Sequence, residues 1–169
     1  MTQNELIAYL RRMISDEQAT GFVENDTLED PDGMDELILY LDRAVHDYSF
    51  KLAEGKSTKL IKRMNVVEGA DLPGDFLMFC GSVPINIEGN KISYYGEGEI
   101  TPVKYFARLP LVSAYAGADE LPYTNEECIN IATRASVFAR NKHDYDVSQD
   151  LRLLNNGVLS NARLNQPAQ

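Results

Sequence analysis

The hydrophobic period of this 169-residue chain changes twice, and those changes constrain the fold more than any single motif. Across residues 34–53 the apolar positions Met34, Leu37, Ile38, Leu41, Ala44, Val45, Tyr48 and Leu52 recur at intervals of three and four. In an α-helix that spacing gathers them into one stripe over about five turns, with Asp35, Glu36, Asp42, Arg43, Asp47 and Lys51 mostly outside it. Asp32 or Gly33 can cap its start, and Gly55 stands where a left-handed C-cap is wanted. From Ser57 the period drops to two, which predicts strands. At Thr124 it returns to 3.6.

Helices flank the β stretch. Thr2-Gln3-Asn4-Glu5 fits a capping box, opening a first helix marked by Leu6, Ile7, Leu10, Met13 and Ile14. Residues 17–33 read as an acidic loop broken by Gly21, Pro31 and Gly33. A second capping box, Thr124-Asn125-Glu126-Glu127, opens the third helix, whose stripe is Cys128, Ile131, Ala132, Ala135, Phe138 and Ala139. A last helix begins at Tyr145 or Asp146 and stops at Asn155-Asn156-Gly157. The expected class is α+β: a four-helix bundle with a small antiparallel β-sheet inserted between helices 2 and 3, plus an extended C-terminal tail. Residues 1–157 form one domain (helical 1–56 and 122–157, β insertion 57–113), and 158–169 are the tail.

Within the insertion, Leu60, Lys62, Met64 and Val66 alternate with Lys59, Ile61, Arg63 and Asn65 as one strand, and residues 76–80 form a second. Residues 83–88 and 91–95 flank Gly89-Asn90, a two-residue hairpin loop that sets Glu88 opposite Lys91, Ile87 opposite Ile92 and Ile85 opposite Tyr94. Pro84 cannot donate to a ladder, so its strand is expected at an edge. A strand over 103–109 is expected to close the sheet.

The net charge of −10 argues against a phosphate-backbone binder, which needs clustered Lys and Arg. Its layout says more. Residues 13–42 hold ten acids, among them Asp30, Asp32 and Asp35, and no Lys or Arg. Residues 51–63 reverse the sign, with Lys51, Lys56, Lys59, Lys62 and Arg63 against Glu54 alone. Such runs arise as solvated faces; they also make complementary patches between copies of a chain. Two cysteines are too few for a disulfide framework and fit a reducing compartment. No apolar run reaches the roughly 20 residues of a membrane span.

Chemistry-bearing patterns are incomplete. Gly55-Lys56-Ser57 ends like a P-loop, but Phe50 stands where the first Gly belongs and a helix precedes it. Asp30-Pro31-Asp32-Gly33 would make a calcium loop whose end ligands are Leu28 and Leu39, neither able to coordinate. Cys80, Cys128, His46 and His143 match no zinc spacing, and both cysteines lie in apolar segments where thiols are inert. No cofactor, metal or catalytic residue is expected. A thiol hydrolase using Cys80 or Cys128 is the weakest reading.

In order, the chain shows a capped first helix, a long second helix, Leu72-Pro73-Gly74-Asp75-Phe76, a hairpin ending Tyr94-Tyr95, and Leu121-Pro122 before the helix around residues 127–135. This order over residues 4–156 resembles the head-to-tail adaptor (connector) proteins of tailed bacteriophages, including the tail tubular protein A group. The resemblance implies a non-enzymatic virion protein of the neck, between capsid vertex and tail, assembled in the host cytoplasm. It implies a cyclic ring with itself, commonly dodecameric, portal protein on one side and a tail or nozzle protein on the other. DNA passes through the channel without sequence-specific binding, and no membrane is involved. Head-to-tail contacts need two complementary patches, and the two charge runs supply them through Asp30, Asp32 and Asp35 facing Lys56, Lys59, Lys62 and Arg63. The tail, through Val158, Leu159 and Leu164, is expected to order on a neighbour or the portal. The alternative is a small cytoplasmic acidic binding or regulatory module.

Overall fold

The computed structural model describes residues 1–17, 36–94, 102–141 and 152–156. Helix α1 spans Gln3–Glu17, α2 Glu36–Glu54 and α3 Asn125–Asn141. Between α2 and α3 the described residues form five strands, β1 Ile61–Met64, β2 Phe76–Phe79, β3 Ile85–Glu88, β4 Lys91–Tyr94 and β5 Val103–Ala107. Residues 152–156 are helical. The proposed starts of the second and last helices, at Asp32–Gly33 and Tyr145–Asp146, lie outside the described residues.

Both capping boxes form as their spacing requires. Thr2 N–H donates to Glu5 Oε2 (2.8 Å) while Glu5 N–H donates to Thr2 Oγ1 (3.2 Å). The stretch 117–121 crosses the same helix end and takes further N–H groups that a helix start leaves unpaired: Gln3 N–H donates to Asp119 O and Asn4 N–H to Gly117 O. At α3, Thr124 N–H donates to Glu127 Oε2 (2.8 Å) and Glu127 N–H to Thr124 Oγ1 (3.2 Å). The C-terminus of α2 departs from expectation. It closes by a Schellman motif, with Ser57 N–H on Leu52 O and Lys56 N–H on Ala53 O, and the left-handed residue is Lys56 at φ 57°, not Gly55.

The expected four-helix bundle with one inserted sheet is corrected in two respects. First, α3 is the central helix: it packs against both α2 and α1, which barely touch each other. Its small residues Ala132, Ala135 and Ala139, all buried, permit that close approach on two sides. The core they share includes Leu6, Leu10, Leu41, Val45, Cys128 and Ile131. Second, the strands form two sheets. One has the order β1-β5-β2, antiparallel throughout, and the other is the β3-β4 hairpin. Thus β5 is a central strand and closes nothing. The break falls after β2: Gly81 adopts φ 96° and Pro84 lacks an N–H, so the chain leaves the first sheet before the hairpin begins.

The hairpin itself pairs in the predicted register, Ile85 with Tyr94, Ile87 with Ile92 and Glu88 with Lys91. The two sheets share a second, smaller core of Met64, Val66, Ile92, Tyr105 and Ala107. Alternation along β5 explains the layering: Tyr105 and Ala107 face this second core, and Phe106 between them joins the helical core. The three-stranded sheet is therefore the middle layer, helices on one face and hairpin on the other. Polar ties hold the irregular connection from β5 to α3. Ser49, fully buried on α2, accepts from Leu109 N–H (3.1 Å), and buried Gln3 donates to Val112 O and Tyr115 O.

Candidate interaction surface

The basic run occupies the turn from α2 into β1, and the structure separates its members. Lys59 Nζ lies 2.6 Å from both carboxylate oxygens of Glu127, the residue whose carboxylate caps α3. Lys62 Nζ lies 2.5 Å from Asp75 Oδ2, and Tyr105 Oη donates to the other oxygen at 3.0 Å. Burial raises the Asp75 carboxyl, but the hydrogen bonds from Lys62 and Tyr105 and the Lys62 charge outweigh it and hold it below the ordinary carboxylate range. Burial, followed by the hydrogen bond to Asp75, pushes Tyr105 up to about 12. Lys56 and Arg63 are exposed and, among the described residues, have no acidic partner. So three of the five basic residues, Lys51 (on Glu54), Lys59 and Lys62, are engaged within the chain, and Lys56 and Arg63 are presented outward.

Asp30, Asp32 and Asp35 lie outside the described residues, as do Val158, Leu159 and Leu164 of the tail. The cysteines carry no sign of an activated nucleophile. Burial is the leading influence on both thiols and pushes them up, whereas a reactive thiol is pushed down. His46 is exposed on α2, and His143 lies outside the described residues. Among the described residues no group of three His, Cys, Asp or Glu side chains could hold a metal ion. None of their helices is long and apolar enough to cross a membrane.

Sequence reasoning missed Arg134. It is fully buried on α3, pairs through Nη1 with Asp47 of α2, donates to Asn155 Oδ1 at 2.8 Å, and lies 5.8 Å from the Tyr48 ring centroid. Among the described residues, Nε and Nη2 have no hydrogen-bond partner. Burial, with Glu127 and Glu126 adding to it, pushes Tyr48 up to about 12 against the Arg134 charge. The signal was present: position 134 lies three after Ile131 and four before Phe138, inside the apolar stripe, where a charged residue must find a partner. Arg43 also bridges α2 to α3, stacked 4.5 Å over the Phe138 ring.

No family model, no curated protein and no solved structure matches this chain.

Proposed function

We propose that the chain is a structural adaptor of a tailed-phage neck, one subunit of a cyclic ring between portal and tail whose channel passes DNA. The observation that carries this reading is the outward presentation of Lys56 and Arg63 on a fixed turn and strand, in a chain whose residues 13–42 hold ten acids and no Lys or Arg. A patch held rigid by a Schellman motif and a sheet register costs little ordering entropy when it docks. Opposite charges in different parts of one chain favour head-to-tail contacts, which close into rings. An acidic channel wall repels phosphate and keeps DNA from adhering during passage.

Negative-stain electron microscopy of the concentrated full-length chain, alone and with a tailed-phage portal ring, tests this. The expected images are rings with a central opening, or added density on one face of the portal. Monodisperse monomer in both samples would overturn the reading.

A further inference from the structure

Among the described residues, two strand edges carry unpaired backbone groups and opposite charge. The first is β3. Its neighbour β4 spends its outer edge on residues 68–72: Gly69 N–H donates to Ile92 O and Ile92 N–H to Ala70 O, both at 2.8 Å, and Tyr94 N–H donates to the Glu68 carboxylate at 2.6 Å. Ile92 therefore turns its backbone groups away from β3, and its register partner Ile87 turns its own away from β4. Among the described residues only the Asn86 side chain meets that outer edge, its Oδ1 accepting from Ile87 N–H at 3.1 Å. Glu88 is exposed here and, among the described residues, has no cationic partner.

The second edge is β1. Cys80 N–H donates to Lys104 O at 3.0 Å, so the backbone groups of Lys104 face β2. Arg63, opposite Lys104 in the ladder, then points its N–H and C=O out of the sheet. Exposed Arg63 makes this edge basic, and Lys62 beside it is exposed with its Nζ on Asp75.

Resting on the ring reading above, we infer that β1 of one copy adds antiparallel to β3 of the next, with Arg63 opposite the next copy's Ile87. The occupant of each edge is thus a second copy of this chain. That register sets Lys62 opposite Glu88 and Asn65 opposite Ile85, so no like charges face each other across the junction. Pro84 precedes the strand at a position whose missing N–H would point toward β4, so the outer ladder loses nothing. Every copy offers one edge of each kind, so the contact propagates around a ring, whereas β3 pairing with β3 would stop at a dimer.

Disulfide trapping in the full-length chain tests the register. Lys62 and Glu88 would form a non-hydrogen-bonded pair, whose Cα spacing of about 4.5 Å suits a disulfide. The double variant K62C/E88C, mildly oxidised, should give a ladder of cross-linked multimers; the wild type and both single variants should not. Rings that form without cross-linking would overturn the strand pairing and leave the adaptor reading standing. Dimers from E88C alone would show a two-fold β3 contact and overturn it as well. Monomer without cross-links would overturn both. Because K62C removes a partner of Asp75, E88K serves as a second variant at an exposed position. It should weaken self-association about tenfold at low salt, and unchanged association would overturn the pairing.

Discussion

Lys59 and Glu127 meet with Nζ 2.6 Å from each carboxylate oxygen, and through this contact the basic turn after α2 is tied to the first turn of α3. Glu127 is buried and does two jobs, completing the α3 capping box and neutralising Lys59, which remains half-exposed. Replacing Glu127 with Ala should destabilise the chain by about 1–2 kcal/mol: roughly 1 from the lost cap and a few tenths from the exposed ion pair. Glu127→Gln keeps an acceptor for Thr124 N–H and should lose less. Urea unfolding of the two variants separates the cap from the charge.

Lys56 holds a left-handed conformation that glycine adopts without steric cost. Lys56→Gly should therefore stabilise the fold by roughly 0.5–1 kcal/mol, although it removes a surface charge. A higher urea midpoint with an unchanged slope is the expected outcome. A lower midpoint would show that the Lys56 side chain makes a contact worth more than the strain.

Arg134 and Asp47 should respond asymmetrically. Removing Asp47 leaves a fully buried guanidinium without its counter-charge, so Asp47→Ala should cost about 3 kcal/mol. Arg134→Met exchanges the cation for an apolar chain of similar length within an apolar stripe and should cost clearly less. Equal losses in thermal unfolding would mean the pair contributes net stability and is not a desolvated burden.

Tyr40, Tyr48 and Tyr105 are each pushed up to about 12, with burial the largest cause in every case. Their native forms keep protons that the unfolded chain releases near pH 10, so the folded state binds more protons above that pH and stability falls as pH rises. The contribution is intact below about pH 10 and is lost progressively toward pH 12. Asp75 acts oppositely: its lowered carboxyl contributes above the ordinary carboxylate range, and that contribution disappears on acidification. Denaturant midpoints measured across pH, with phenolate absorbance followed in parallel, check both signs. Tyr105→Phe should flatten part of the alkaline loss.

Local signals in the sequence were read where they are self-contained. Both capping boxes and the α3 stripe depend on residues within four positions of one another, and the hairpin register on pairs no more than nine apart. What escaped depends on distant residues. Whether five strands make one sheet or two is decided by where the chain turns at Gly81 and Pro84 and by the second core that Ile92 joins, which no short window contains. The central place of α3 likewise follows from packing on two sides. Lys59 and Lys62 looked free because their partners, Glu127 and Asp75, lie 68 and 13 residues away. At the end of α2, composition points to Gly55 as the left-handed residue, whereas the hydrogen bonds of Lys56 and Ser57 set it one residue later.

The Lys59–Glu127 and Lys62–Asp75 pairs decide which charges can be reversed without disturbing the fold. Reversing Lys59 or Lys62 would disturb Glu127 or Asp75 within the chain, whereas Lys56 and Arg63 are exposed without an acidic partner among the described residues. The 169-residue chain should sediment as a closed ring at low salt. The ring should dissociate as ionic strength rises past the range where the Debye length falls to about 8 Å. K56E/R63E should remain a folded monomer at the same concentration. Sedimentation velocity of wild type and this double variant across a salt series is the direct measurement. A wild-type chain that stays monomeric, or a ring indifferent to both salt and charge reversal, would contradict the account.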